Sequence, residues 1–541
     1  MLAIGMHMTL KPIVVKGLAL LAMVFSCGGK PQPEPAEPAG PAAPKTITLS
    51  ASSFEVAQGG GTVTLDITAP ARPDISGLPS WIKFTSGTYD AASFQMKGAT
   101  LTVSANDSYQ VREVEAAVSC VGAGAVSLKV SQAAKAADPD PAPGTNTAWQ
   151  LAMRLGLGWN MGNHFDAYYS GSWSGDREGY PDETAWGGAS ATQATFDGVK
   201  AAGFTSVRLP VSWLKMIGPA PDYTIDKTWL DRVYEVAQFA HNAGLTVIVN
   251  THHDENHGVD NTYQWLDIKH AVDDPALNAQ IKEKIHAVWT QIANRFKDCG
   301  DWLILESFNE INDGGWGWSE DFRKDPTRQC NILNEWNQVF MDAVRATGGE
   351  NATRWLGVPG YAANPEYLKY LTLPNDPAGK TMVAFHCYDP YDFTLRTTDD
   401  KGNPWTPAAD WGHTGKSFPQ GEEQIKNLFS GLRAKYVDNN IPIYMGEFGC
   451  SMRSNTNGTA WAFYLYYLEY VVKAAKVNGI PCYLWDNAAE GYGQEHHPYI
   501  HHGTGDYIGP SKEPVDRMVK AWFTDSSSYT LHSVYVNAPQ P

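Results

Sequence analysis

The chain lacks the cysteine pattern of a disulfide scaffold or a zinc site. Its seven cysteines, at 27, 120, 299, 330, 387, 450 and 482, stand singly with no C-x-x-C pair. Apart from Cys27 they read mostly as small buried apolar residues. Positive charge is also short: 41 Lys and Arg face 58 Asp and Glu, for a net charge of −17, and no Lys/Arg cluster occurs. That balance argues against nucleic acid or an anionic membrane surface as a partner and suits a neutral one. There is no internal repeat. Aromatic residues are plentiful, with 19 Trp and 25 Tyr, a density that fits either a large core or the handling of flat amphipathic ligands.

The N-terminus reads as a leader. Lys11 and Lys16 precede the apolar run G-L-A-L-L-A-M-V-F, which ends at Ser26–Cys27 and is too short to span a bilayer. V-F-S-C resembles a bacterial lipobox, with Val24 for the usual Leu and Phe25 for a small or β-branched residue. The resemblance implies lipidation at Cys27, secretion across the inner membrane, and an anchor at the outer membrane or cell surface. A plain signal peptide is the alternative. Residues 1–27 are thus a leader and 28–45 a proline-rich spacer, P-Q-P-E-P-A-E-P-A-G-P-A-A-P, stiff and extended. Residues 46–134 alternate apolar and polar positions in short runs such as T-V-T-L-D-I-T and V-S-L-K-V-S-Q, which predicts a small all-β, immunoglobulin-like sandwich. Residues 135–148 form a second linker, A-A-D-P-D-P-A-P-G.

From Trp149 to about residue 530 the pattern changes. Eight apolar runs alternate with amphipathic segments: G-L-G-W-N-M-G-N, S-V-R-L-P-V-S-W, T-V-I-V-N-T-H-H-D, L-I-L-E-S-F-N-E, R-W-L-G-V-P-G-Y, T-M-V-A-F-H-C-Y, P-I-Y-M-G-E-F-G and I-P-C-Y-L-W-D-N. The stretch 228–243 has helical periodicity and a stop at Gly244. Eight such units predict an α/β fold, a (β/α)8 TIM barrel.

Functional groups of such barrels lie at the C-terminal ends of the strands, and the ends here are polar or aromatic. They offer Asn163, Arg208, His252, His253 and Asp254, Asn309 and Glu310, His386 and Tyr388, Glu447, and Trp485. Strict alternation puts Ile304, Glu306, Phe308 and Glu310 on one face; Glu306, four residues deeper, reads as a structural acid for a buried Arg or His. Glu310 and Glu447, on strands 4 and 7, match one reaction: glycoside hydrolysis with retention, in which one carboxyl attacks and the other donates a proton. Arg208 and Tyr388 are placed to keep Glu447 ionised, and Asn309 can hydrogen-bond a sugar 2-hydroxyl at any pH. H-H-D-E-N-H (252–257) and Q-E-H-H-P-Y-I-H-H (494–502) are His-rich, but neither has H-E-x-x-H spacing, so neither a metal nor any other cofactor is expected.

R-L-P-V-S-W, N-T-H-H-D, F-N-E, H-C-Y, G-E-F-G and L-W-D-N together resemble glycoside hydrolase family 5. G-W-N-M-G-N-H-F-D-A (158–167) and E-T-A-W-G (183–187) look like its subfamily 4, which includes endo-β-1,4-glucanases and xyloglucanases. The resemblance implies Glu310 as acid/base and Glu447 as nucleophile, with Arg208, His252, Asn309, His386, Tyr388 and Trp485 around them. His253 and Asn163 join them as substrate contacts. N-E-I-N-D departs from the N-E-P of many relatives. Some of Trp186, Trp265, Trp316, Trp318, Trp405 and Trp411 are expected to line a cleft for a polymer. P-S-W-I-K-F-T (79–85) resembles the BACON domain of Bacteroidetes carbohydrate-active enzymes, read here as a spacer with Trp81 in its core. The implied partner is a β-1,4-linked plant polysaccharide, xyloglucan first, with cellulose or mixed-linkage β-glucan as the alternative. A non-catalytic surface glycan-binding protein is the rival of another class. A monomer is the default.

Overall fold

A computed structural model describes residues 41–541 apart from 172–173, 258–262, 397–407, 455 and 493–494. Cys27, the leader and Trp405 lie outside the described residues. The chain divides into two compact units, one ending at Lys135 and the other Ala136–Pro541.

The first unit is two small sheets. In one, Thr48–Leu49, Gly61–Thr68, Gln95–Val103 and Ile82–Thr85 lie in that order, and Thr88–Asp90 also pairs with Gln95–Val103. In the other the order is Ser53–Val56, Ala123–Gln132, Arg112–Cys120 and Asp74–Ser76. The alternation seen in the sequence sends Leu65, Ile67, Leu101, Ala116, Val118, Leu128 and Val130 into one core, as the period-2 geometry of strands requires. Trp81 is half-buried against that core, and the Arg112 guanidinium lies 5.7 Å from its ring centre.

The second unit is a closed parallel barrel: β1 Leu157–Met161, β2 Ser206–Leu209, β3 Thr246–Asn250, β4 Leu303–Glu306, β5 Leu356–Pro359, β6 Thr381–Cys387, β7 Ile443–Phe448 and β8 Cys482–Asp486. All eight predicted runs contain a barrel strand. Their near-continuous apolar character follows from burial on both faces. One face packs on the helices, for example Lys227–Asn242, which Asp226 caps by accepting from Trp229 N–H. Gly244 then takes a φ of +80°, a left-handed turn that glycine adopts without steric cost. The other face fills the barrel: Ile248, Ile304, Met382, Ala384, Tyr444 and Tyr483 pack with Leu151 and Leu155 of the helix Thr147–Leu155. The barrel is therefore plugged at the bottom, and polar side chains collect above the plug.

Candidate active site

The lowest polar layer is built around Arg208 on β2. Its guanidinium, fully buried, donates to both oxygens of Glu306 at 2.7 and 2.9 Å, to Asn160 Oδ1 at 3.1 Å, to Asn309 Oδ1 at 2.9 Å and to Glu447 Oε1 at 2.9 Å. The Tyr444 hydroxyl donates to Glu306 Oε2 at 2.8 Å. Burial opposes ionisation of Glu306, but Arg208 and the hydrogen bonds hold its pKa below the ordinary carboxylate value. Glu306 is thus the partner of a buried arginine, and the bidentate pair makes Arg208 a rigid shelf.

Two breaks in strand alternation lift the upper carboxylates into the open. After Glu306, Ser307 donates to Asn337 and Phe308 packs edge-on to Trp336, both on the helix Pro326–Ala346. Two consecutive residues point outward, so Asn309 returns to Arg208 and Glu310 reaches His386. The expected common face of Ile304, Glu306, Phe308 and Glu310 therefore fails at Phe308, and the regular strand stops at Glu306. On β7, Tyr444 points inward, and the register with β6 slips so that Phe385 pairs with Met445 but His386 with Glu447. The extra residue is Gly446, whose carbonyl accepts from Asn160 Nδ2 at 2.8 Å. A Cβ at Gly446 would lie 3.0 Å from His386 Nε2. Such bulges re-aim side chains; here the bulge turns Glu447 inward.

In the resulting layer one carboxylate oxygen of Glu310, one of Glu447 and a ring nitrogen of His386 all lie within 4.8 Å of one another. His386 Nδ1 is 2.6 Å from Glu310 Oε1, and the Tyr388 hydroxyl donates to Glu447 Oε2 at 3.0 Å. Burial first, then the charge of Glu255, pushes Glu310 up to about 7. Burial also raises Glu447, against the opposing influence of His386, Arg208 and Tyr388; two direct donors, one of them cationic, limit that rise. Burial pushes His386 down to about 4. In the interval between about 4 and about 7 the shared proton therefore belongs on Glu310, which donates it to the imidazole.

The other sequence candidates divide. His252 is buried, its ring stacked on Trp485 at 5.8 Å and 7°, with Nε2 3.9 Å from Glu447. Trp485, half-buried, lies across Gly162, where a Cβ would meet its ring at 2.5 Å. Behind it Asp486 accepts from Trp159 Nε1, Tyr499 N–H and Ile500 N–H, which fixes the strand end. His253 turns away to Glu255 and Asp166, at 3.3 and 3.7 Å. Asn163 takes a left-handed φ of 54° and donates its backbone N–H to Asp166; the β1 side chain that meets Arg208 is Asn160, a polar residue inside the buried strand rather than at its tip. Asp254 is structural, accepting from Trp213 N–H, Leu214 N–H and Trp265 Nε1. Trp411 is fully buried among Phe393, Tyr466, Tyr467 and Tyr470, so it belongs to packing. Trp186, Trp316 and Trp318 are exposed; Trp186 neighbours His253 and Trp316 neighbours His257.

In the second His-rich stretch, His497 and His502 are buried with no hydrogen bond to either ring nitrogen among the described residues. Asp166, His252 and His253 bring one ligand-type atom each within 4.8 Å of one another, but Asp166 is already engaged by the N–H groups of Asn163 and His164 and His253 by Glu255.

Carboxylates with oxygens within 4.8 Å of one another stand closer than the wide separation an inverting pair keeps for its attacking water, and suit a nucleophile beside a proton donor. Set at the C-terminal ends of β4 and β7 of a parallel barrel, they define a glycoside hydrolase. The chain belongs to glycosyl hydrolase family 5: the family model "Cellulase (glycosyl hydrolase family 5)" matches residues 171–491. It is 32% identical over 446 residues to a xyloglucan-specific endo-beta-1,4-glucanase of Bacteroides ovatus, covering 79% of this chain and 83% of that protein. Among solved structures it is similar to a Bacteroidetes-affiliated GH5 cellulase linked with a polysaccharide utilization locus (41% identity, TM-score 0.68, 74% of this chain and 99% of that one). It is also similar to a GH5-4 broad specificity endoglucanase from Bacteroides salanitronis (45%, TM-score 0.64, 71% and 97%).

Proposed function

We propose that this chain is a retaining endo-β-1,4-glucanase that cleaves plant β-glucan, with xyloglucan as its preferred polymer. The observation that carries the reading is the gathering of Glu310, His386 and Glu447 within 4.8 Å. Glu447, hydrogen-bonded by Arg208 and Tyr388, attacks the anomeric carbon. Glu310 gives its proton to the glycosidic oxygen as that bond breaks, and a glycosyl ester on Glu447 forms. Glu310, now ionised, takes a proton from water, whose oxygen displaces Glu447 and restores both carboxyls. Asn309, oriented through its oxygen by Arg208, turns its amide N–H to the sugar 2-hydroxyl. The ring of Trp485 offers a stacking face beside the cleavage point.

Similarity to the xyloglucan-specific relative favours a branched polymer. Similarity to the broad-specificity endoglucanase favours the second reading, cleavage of unbranched or mixed-linkage glucan as well. Reducing-end release from tamarind-type xyloglucan, mixed-linkage β-glucan, carboxymethylcellulose, xylan and mannan separates them, with the Glu310→Ala/Glu447→Ala double variant as blank. Xyloglucan hydrolysed fastest supports the first reading. Equal rates on β-glucan and xyloglucan replace it with the second, and no hydrolysis of any polymer returns the chain to glycan binding without catalysis. The leader supports lipidation at Cys27, tested by incorporation of labelled fatty acid and its loss in Cys27→Ala.

A further inference from the structure

The segment that follows Glu310 is held more tightly than a connecting loop needs to be. Residues 311–319 read I-N-D-G-G-W-G-W-S. Asn312, fully buried, donates through Nδ2 to the Glu310 carbonyl at 2.8 Å, and its Oδ1 accepts from Gly314 N–H at 2.7 Å and Trp316 N–H at 3.3 Å. Asp313, also buried, accepts from Gly315 N–H at 3.0 Å, from Gln329 Nε2 at 3.0 Å and from the Ser319 hydroxyl, and donates its own N–H to the Tyr361 hydroxyl at 3.0 Å. At Gly317 the chain passes so close to the Tyr367 hydroxyl that a Cβ would lie 2.1 Å from it. Inside this frame Trp316 takes a φ of +52°, a left-handed conformation that is unfavourable for a bulky side chain. The indole gains little burial in return: it is 46% exposed, with its ring centre 5.8 Å from that of His257. Backbone strain that a buried network over-determines, and that ends in an exposed ring beside an active site, is the pattern of a ligand clamp.

We propose that Trp316 is the stacking platform for a glucosyl unit of the departing chain, and so helps to set how much glucan the enzyme grips beyond the cleavage point. The inference rests on reading Glu310 as the acid/base and the face of Trp485 as the seat of the attacked sugar. In the closed barrel of eight strands, β4 and β8 lie opposite each other. A glucan whose attacked sugar rests on Trp485 at β8, and whose glycosidic oxygen takes its proton from Glu310 at β4, therefore leaves across the β4 side. Trp316 stands there, two hydrogen bonds from the Glu310 carbonyl through the Asn312 side chain. The C–H face of a β-linked glucosyl ring matches a flat indole. A ring whose backbone is fixed in advance loses little freedom when the sugar arrives.

The test is the cleavage pattern of cellohexaose isotopically labelled at its reducing end, together with kcat/KM, for wild type, Trp316→Ala and the ring-keeping Trp316→Tyr. β-Cellobiosyl fluoride, whose leaving group is a single atom with no sugar on that side, is the control. Trp316→Ala is expected to lose about tenfold in kcat/KM on cellohexaose, the size of one aromatic contact. Cleavage should also move toward the labelled end, giving a shorter labelled product, because sugars beyond the cleavage point are held less well. On the fluoride Trp316→Ala should stay within about twofold of wild type, since the bond-breaking groups are untouched. Trp316→Tyr should keep the wild-type pattern. An unmoved pattern in folded Trp316→Ala, a shift away from the labelled end, or an equal loss on the fluoride overturns the inference. If Glu310→Ala loses kcat/KM equally on cellohexaose and on the fluoride, the failure lies earlier, in the assignment of Glu310 as the acid.

Discussion

Replacing Glu310 by Gln should stabilise the protein in alkali and not in acid. Glu310 is raised from an ordinary 4.5 to about 7, and its side chain is 18% exposed, so solvent screening is modest. A carboxyl whose folded-state pKa exceeds its unfolded value binds its proton more tightly when folded. Its contribution is fully present below about pH 4.5 and is lost as pH rises to about 7. The loss is roughly 2.5 pKa units, or about 3 kcal/mol. Glutamine never ionises and escapes it. Any pH-independent effect of the substitution cancels when the difference between variant and wild type is compared at pH 4 and pH 9. For a barrel of roughly 400 residues, about 3 kcal/mol corresponds to roughly 4 °C in Tm. Thermal melts of the two proteins at both pH values measure it. A gap that does not widen between them, or that widens in favour of wild type, refutes the claim that burial and Glu255 hold a proton on Glu310.

Other consequences are as direct. Glu447→Ala should abolish turnover, and azide should restore part of it through a glycosyl azide of inverted configuration; an azide product of retained configuration, or none, removes Glu447 as nucleophile. Glu310→Ala should slow β-glucan hydrolysis by far more than hydrolysis of dinitrophenyl cellobioside, and equal losses on both would argue against its acid role. Gly446→Ala brings a methyl to 3.0 Å from His386 Nε2, so kcat should fall by more than about tenfold while Tm changes by only a few degrees, since the strain falls on the bulge that aims Glu447. Arg208→Lys leaves Glu306 without its bidentate partner, and urea unfolding should show a loss of about 3–5 kcal/mol.

Much of the site was legible because barrel chemistry sits where strands end. Eight apolar runs, each closing on polar or aromatic residues, were enough to bring Glu310, Glu447, Arg208, His252, Asn309, His386 and Tyr388 into one list. The buried partner expected for Glu306 is Arg208. Two expectations failed for different reasons: a period-2 rule carried past the end of the regular ladder put Phe308 on the face of Glu310, and the weight given to strand ends favoured Asn163, at the tip of β1, over Asn160, which meets Arg208 from inside the strand. Glu255 was hidden differently. Inside H-H-D-E-N-H its neighbours drew a metal question, and nothing in a linear string says that this acid is buried between His253 and His257.

By itself, the sequence determined the two kinds of domain, the strand count, and which residue types reach the mouth of the barrel, because those follow from local periodicity and from hydrophobic burial. Only the tertiary structure decided that Gly446 and the Ser307–Phe308 pair break alternation, that one arginine serves both Glu306 and Glu447, and that Glu310 meets His386. Those features depend on residues far apart in the chain meeting in a dry interior. There a hydrogen bond or a charge acts over several ångströms with little screening, and strand register sets which group faces which.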